Sequence, residues 1–420
     1  MPQTITEKIL AKHCGKEEVS PGELVNIDLD LILAHEVTTP PAISALEKNG
    51  IDRVFDPDKI VVTPDHFVPN KDEKTAELAK RLRDWVKRHK IKNYYEIGRH
   101  GICHTILIEN GHVLPGMTVV AGDSHTCTHG VVGAFGMGIG STELAAAIAT
   151  GKSWFIVPET IKVEINGELG KGVYSKDVML QVLSKLGVDG ATDKVIEYVG
   201  STVDEMEVED RVVLTNMAVE AGATLGIMNP DKKTIKYVEQ RSSRKYDLVK
   251  SDDDANFASH KKFDVSNLEP MVAVPSLPSN GKPVSNVKDV NIDQAVVGSC
   301  TNGRIGDLRE AAAVLKGNKV HKDVRMLVIP ATTKIYKQAL REGLLEQFID
   351  AGAAVSTPTC GPCLGGHMGV LAEGERCIAS TNRNFVGRMG HPKSEVYLAS
   401  PATVAASAIE GKVADPRKYL

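Results

Sequence analysis

Three of the seven cysteines stand where sulfur could do chemistry. Cys360-Gly361-Pro362-Cys363 is a C-x-x-C, a spacing that serves a redox pair, half of a zinc site or part of an iron–sulfur site. Zinc requires two more Cys or His ligands in suitable geometry, and the sequence has no second C-x-x-C. A thioredoxin-like pair is expected early in a small domain, whereas this motif comes late in 420 residues. Cys300, in Gly298-Ser299-Cys300-Thr301-Asn302, follows an apolar run and is the third candidate. Three thiolates leave one corner of a cubane cluster without a protein ligand. An open iron there acts as a Lewis acid, while a fourth thiolate would favour electron transfer. Cys377 lies inside a strand-like run and reads as a buried structural thiol.

Imidazoles and carboxylates cluster in a similar way. Asp65-His66 and Asp123-Ser124-His125 both follow strand-like runs, and His104 follows Gly101-Ile102-Cys103. A carboxylate beside an imidazole raises its pKa, fixes its tautomer and makes it a competent proton donor. Removal of a hydroxyl as water needs such a donor, because hydroxide leaves poorly. In Thr381-Asn382-Arg383-Asn384-Phe385-Val386-Gly387-Arg388 two guanidiniums stand five residues apart after another such run. Their planar forks suit a substrate with two or three carboxylates.

The elements that must position these groups are short apolar runs ending in polar loops. They are Ile60 to Val62, Thr118 to Ala121, Ala295 to Gly298, Ala354-Val355 and Cys377 to Ala379. Near-continuous apolar runs of this length suit strands buried on both faces. Between them Leu78, Leu82, Trp85 and Val86 form a helical stripe, and Thr142 to Thr150, Val178 to Leu186 and Leu308 to Leu315 read as helices. Ser141 is the expected N-cap of the second. The alternation predicts an α/β fold with ligands beyond the carboxyl ends of the strands. Gly136-Met137-Gly138-Ile139-Gly140 departs from the dinucleotide fingerprint and reads as a tight turn before a capped helix. Composition shifts near 157 and across the polar, Pro-containing stretch 240–288 suggest three domains, 1–157, 158–284 and 285–420.

A net charge of −4 gives no reason to expect nucleic acid or an anionic membrane as partner. The basic stretch Lys80 to Lys92 lies on the amphipathic helix and reads as its solvated face. No apolar run approaches the ~18 residues of a membrane span, and the polar N-terminus is unlike a signal peptide. A cytoplasmic setting with thiols used as thiols is expected.

The segments TPDH, GICHTIL, GDSHTCTHG, VIEYVG, GSCTN, CGPCLGG and NRNFVGR, in this order from residue 63 to 388, resemble those of the aconitase superfamily. The resemblance implies a three-domain architecture of parallel and mixed sheets flanked by helices, with the active site in the cleft between domains. It implies one 4Fe–4S cluster on Cys300, Cys360 and Cys363, with one iron open. Asp65 and His66 match the pair that protonates the departing hydroxyl, and His104, Asp123, His125 and Glu197 match the supporting catalytic network. Ser124, Asn382, Arg383 and Arg388 match substrate-side positions. His35 and Thr128 stand where citrate-acting members have glutamine and asparagine, which favours the isopropylmalate branch. The implied reaction is isomerisation of 2-isopropylmalate to 3-isopropylmalate through 2-isopropylmaleate, in leucine biosynthesis. Homocitrate-type, dimethylmalate and methylcitrate-type acids are alternatives, and RNA binding by a cluster-free form is the alternative of another class. The serine base, further substrate arginines and the specificity loop of such enzymes belong to a swivelling domain. No motif here matches it, so a separate small subunit is the expected partner.

Overall fold

Four sheets organise the chain in the computed structural model, which describes residues 1–287 and 289–420. Lys288, at the expected end of the polar stretch, lies outside the described residues. The first sheet is wholly parallel, in the order Asn93–Tyr94, Ile60–Val62, Leu31–Ala34, Thr118–Ala121, Phe135–Gly138. Leu31–Ala34 and Ile60–Val62 are buried at every position, as strands covered on both faces must be. Helix Glu73–Arg88 buries Ala79, Leu82, Trp85 and Val86. Its charges face outward in pairs such as Lys80–Asp84 and Arg81–Glu47.

The second sheet, Leu225–Ile227, Val195–Val199, Thr160–Asn166 and Ser259–Asp264, is also parallel. The third has seven strands, in the order Gly281–Pro283, Met271–Ala273, Glu395–Ala399, Arg376–Ala379, Gln294–Gly298, Arg325–Ile329, Ala354–Val355. Its first two pairings are antiparallel and the rest parallel. The strands Met271–Ala273 and Gly281–Pro283 precede residue 285 yet hydrogen-bond into this sheet. The stretch read as a polar crossing therefore contributes strands to two sheets. Leu24–Asp28 and Lys152–Ile156 form a separate antiparallel ribbon.

The sheets share cores rather than each owning one. Val163 and Ile165 of the second pack in one apolar cluster with Cys377, Ala379 and Leu398 of the third. Ile32 and Ile60 of the first share another with Val195, Leu225 and Ile227. Cys377, in the former cluster, is fully buried, as a structural thiol should be.

The glycine-rich segment differs from its reading as a turn. Gly136 and Gly138 lie within strand Phe135–Gly138. A Cβ on Gly136 would sit 2.3 Å from the Thr126 carbonyl oxygen, and one on Gly138 2.5 Å from that of Asp123. These glycines let the loop bearing Asp123 and His125 lie directly on the strand. The helix Ser141–Thr150 is capped by Gly140, not Ser141, because the Glu143 carboxylate accepts the Gly140 N–H at 2.8 Å. Among the described residues no helix is long and apolar enough to cross a membrane.

Candidate active site

The loops that leave the carboxyl ends of strands in the first and third sheets meet at one cavity of about 250 Å³. From the first sheet come His35, after Leu31–Ala34, then Asp65 and His66, after Ile60–Val62, and Asp123 to His125, after Thr118–Ala121. His104 enters from the first turn of helix Cys103–Glu109. Opposite stand Cys300, after Gln294–Gly298, Cys360 and Cys363, and Asn382, Arg383 and Arg388, after Arg376–Ala379. A separate, larger cavity of about 800 Å³ beside Tyr174 and Glu310 contains none of the residues singled out from sequence.

His66 and Asp123 are the centre of the polar network. His66 Nδ1 lies 2.6 Å from Asp65 Oδ1, and its Nε2 lies 3.5 Å from Asp123 Oδ2. Burial by itself would lower the imidazole, yet the charges of Asp65, Asp123 and Glu36 hold it well above its usual value. Asp123 also faces His104 Nε2 at 3.1 Å and accepts the His125 backbone N–H at 2.8 Å. Burial opposes its charge, but the imidazoles of His104, His125 and His66 keep the carboxyl well below the ordinary carboxylate range. His35 stacks on His66 with ring centroids 4.5 Å apart. Burial, then the neighbouring His66 charge, pushes His35 down to about 4, so it is a neutral ring against a charged one. Its Nδ1 accepts the Val37 N–H at 3.3 Å.

Two carboxylates that the sequence reading passed over hold this network in place. Glu36 is fully buried and accepts three backbone N–H groups, from Asp65 at 3.0 Å and from His66 and Phe67 at 2.7 Å. It clamps the loop in the conformation that turns His66 toward Asp123. Its position beside His35 at a strand end was the available signal. Glu220, on the short turn Met217–Ala221, meets His125 Nε2 at 3.0 Å and accepts Arg383 Nε at 2.8 Å. Nothing local in the sequence marks it.

Glu197, the expected member of the network, is elsewhere. It lies within strand Val195–Val199, where its carboxylate accepts Asn229 Nδ2 at 2.7 Å and the Ser251 hydroxyl at 2.6 Å. Neighbouring residues in a strand face opposite ways, so the motif's sequence position did not fix where the carboxylate points. The buried glutamate that reaches His125 is Glu220. Thr128 also misses the cavity: its hydroxyl donates to the His125 carbonyl at 2.5 Å and accepts from Asn216 at 2.8 Å. Ser124 does line the cavity, exposed at its rim.

The donor set around the sulfurs fits an iron–sulfur group. Four thiols line the cavity, those of Cys103, Cys300, Cys360 and Cys363, and Cys300 Sγ receives amide N–H groups from both Asn216 and Asn382 at 3.3 Å. Such hydrogen bonds favour a sulfur that carries negative charge and tune cluster potentials. Burial, then the adjacent Cys363, pushes the Cys300 thiol up to about 12, so a bound cation is needed to ionise it.

The two arginines differ in role. Arg383 is spent on Glu220, whereas Arg388 has no ion-pair partner among the described residues, and its buried Nε has no hydrogen-bond acceptor. Arg388 is thus the guanidinium that faces the cavity unpaired.

This arrangement and the fold agree with the comparison to known families. The model of the aconitase family (aconitate hydratase) matches residues 7–290 and 280–411, and the chain belongs to that family. Within it, the chain is 56% identical over 418 residues to the 3-isopropylmalate dehydratase large subunit of Heliobacterium modesticaldum, covering 100% of both. It is 54% identical over 420 residues to that of Halothermothrix orenii, again covering 100% of both. The corresponding chain of Clostridium kluyveri is 52% identical over 420 residues, with the same coverage.

Proposed function

We propose that this chain is the cluster-bearing large subunit of a two-chain hydro-lyase. In this reading it interconverts 2-isopropylmalate and 3-isopropylmalate through 2-isopropylmaleate in leucine biosynthesis. The observation that carries the proposal is the convergence of the Cys300, Cys360 and Cys363 thiols, the Asp65–His66 pair and the unpaired Arg388 on one cavity. The full-length similarity to chains named as large subunits supports both the substrate and the partner. A compartment that keeps thiols reduced, the cytoplasm, suits such a site.

Cys300, Cys360 and Cys363 would hold a 4Fe–4S cluster, which when bound supplies a Lewis-acid iron without a protein ligand. The chain's own residues do the rest. His66 is kept protonated between Asp65 and Asp123 and donates from Nε2 to the departing hydroxyl. Asp65 stays ionised against its burial chiefly through the charge and hydrogen bond of His66, and it also accepts the Cys103 N–H at 2.8 Å. Arg388 binds a substrate carboxylate, and Arg383 is held by Glu220 so that it keeps a fixed direction. Dehydration also needs a base across the carbon–carbon bond. No side chain of this cavity has that role in the reading, so the small subunit supplies it.

The test is anaerobic reconstitution of the cluster, followed by hydration of 2-isopropylmaleate, read as loss of ultraviolet absorbance. Turnover is expected only after a separately made small subunit is added. Full turnover by this chain alone would remove the two-chain reading, and an inactive pair with a full cluster would remove the substrate.

A further inference from the structure

Lys176 has no part in that mechanism, yet it is fully buried, on helix Ser175–Leu186. Its ammonium donates to the Thr381 carbonyl at 2.5 Å, the Ser380 carbonyl at 3.0 Å and Asn302 Oδ1 at 3.3 Å. The two carbonyls belong to the loop that carries Asn382 and Arg383. Asn302 is two residues past Cys300. One side chain therefore ties both loops to a helix outside their sheet.

All three acceptors are neutral. The nearby carboxylates are engaged otherwise: Asp177 accepts the Met271 and Tyr174 N–H groups, and Asp307 accepts Asn302 Nδ2 and the Arg304 N–H. Among the described residues Lys176 is in no ion pair. An unpaired buried ammonium costs several kcal/mol, so a negative charge near it is expected. Burial lowers its pKa to about 7, and the charges that pull the other way are those of Asp307 and the sulfurs of Cys300 and Cys363. Three thiolates around a 4Fe–4S core leave that assembly net negative.

We infer that Lys176 is a positioning residue whose positive charge offsets the cluster assembly while its three hydrogen bonds hold the Cys300 and Asn382 loops in register. This rests on the cluster reading above. It also accounts for a feature that packing does not, since an aliphatic side chain would fill the space without an ammonium to bury.

The experiment compares wild type, Lys176→Gln and Lys176→Arg as full chains, with clusters rebuilt anaerobically. Iron and sulfide content, the cluster's midpoint potential and its rate of loss to a chelator are measured. Urea unfolding of the cluster-free forms checks folding. Gln keeps a hydrogen-bonding head without charge, so its cluster should be harder to reduce by tenfold or more. For a one-electron couple that is a shift of about 59 mV to more negative potential. Its cluster should also be lost several-fold faster. Arg keeps the charge and should stay within twofold of wild type in both. A Gln variant with wild-type potential and loss rate overturns the inference, and so does a folded Arg variant that departs as far as Gln. If Gln does not fold, the Arg result alone decides. A wild-type chain that takes up no cluster defeats the proposed function itself, which the iron and sulfide analysis reads separately.

Discussion

The backbone N–H of Cys360 donates to the carbonyl oxygen of Asp65 at 2.8 Å. One hydrogen bond thus joins the loop of a sulfur ligand to the loop of the proton donor, although the two loops follow strands of different sheets. The Thr359 hydroxyl donates to the same oxygen at 3.0 Å. Sulfur site and acid–imidazole pair are therefore held in register by backbone, which preorganises both before any substrate arrives.

Cys300, Cys360 and Cys363 should be separable by substitution from the other cysteines, including Cys103, which also lines the cavity. Ser at Cys300, Cys360 or Cys363 should abolish the visible absorbance of a rebuilt cluster. Ser at Cys14, Cys103 or Cys127, and Ala at Cys377, should leave it. Loss of the chromophore on changing Cys377 alone would count heavily against the ligand assignment.

Glu36→Gln should disturb activity and stability together. A carboxamide cannot accept all three N–H groups, and an unsatisfied buried donor costs about 1–3 kcal/mol. The urea midpoint of the cluster-free chain should fall accordingly, and turnover of the assembled enzyme should fall with it. Unchanged stability and turnover would mean that the three hydrogen bonds do not set the loop.

Arg388 and Arg383 should fail differently. Arg388→Ala removes a charge-assisted contact of about 1.5–3 kcal/mol, and KM should rise about 10- to 100-fold. Arg383→Ala leaves the Glu220 carboxylate buried without its guanidinium, so it should lower thermal stability as well. Equal effects on KM and no stability loss from the second variant would contradict the division of labour.

The His66 linkage has a defined sign. Its folded pKa is raised above 6.5, so its stabilising contribution is complete below that pH and is lost as pH rises through the folded value. The stability margin of wild type over His66→Gln should be constant in mild acid and shrink in alkali. His66→Ala should lower turnover by roughly 10²–10⁴-fold with cluster content unchanged, the usual scale for a general acid. A margin that grows with pH would refute the charged assignment.

Apolar runs and the polar loops that end them were legible without coordinates, because strand burial and strand-end polarity are local properties of the chain. The positions of Asp65, His66, Asp123, Cys300, Cys360 and Arg388 at one cavity follow from that pattern together with the parallel pairing it implies. What pairs with what is not local. His125 meets Glu220 across 95 residues, Arg383 meets Glu220 across 163, and Lys176 meets Thr381 across 205. No short-range periodicity encodes such contacts. Glu197 shows the cost of reading by order alone, since a motif fixes sequence position but not which face of the sheet a carboxylate takes. The chemistry of the donors was therefore written in the sequence, as residue types at strand ends. Their geometry, the clamp at Glu36 and the buried charge at Lys176 were decided only when separate sheets packed and brought those loops within hydrogen-bonding distance.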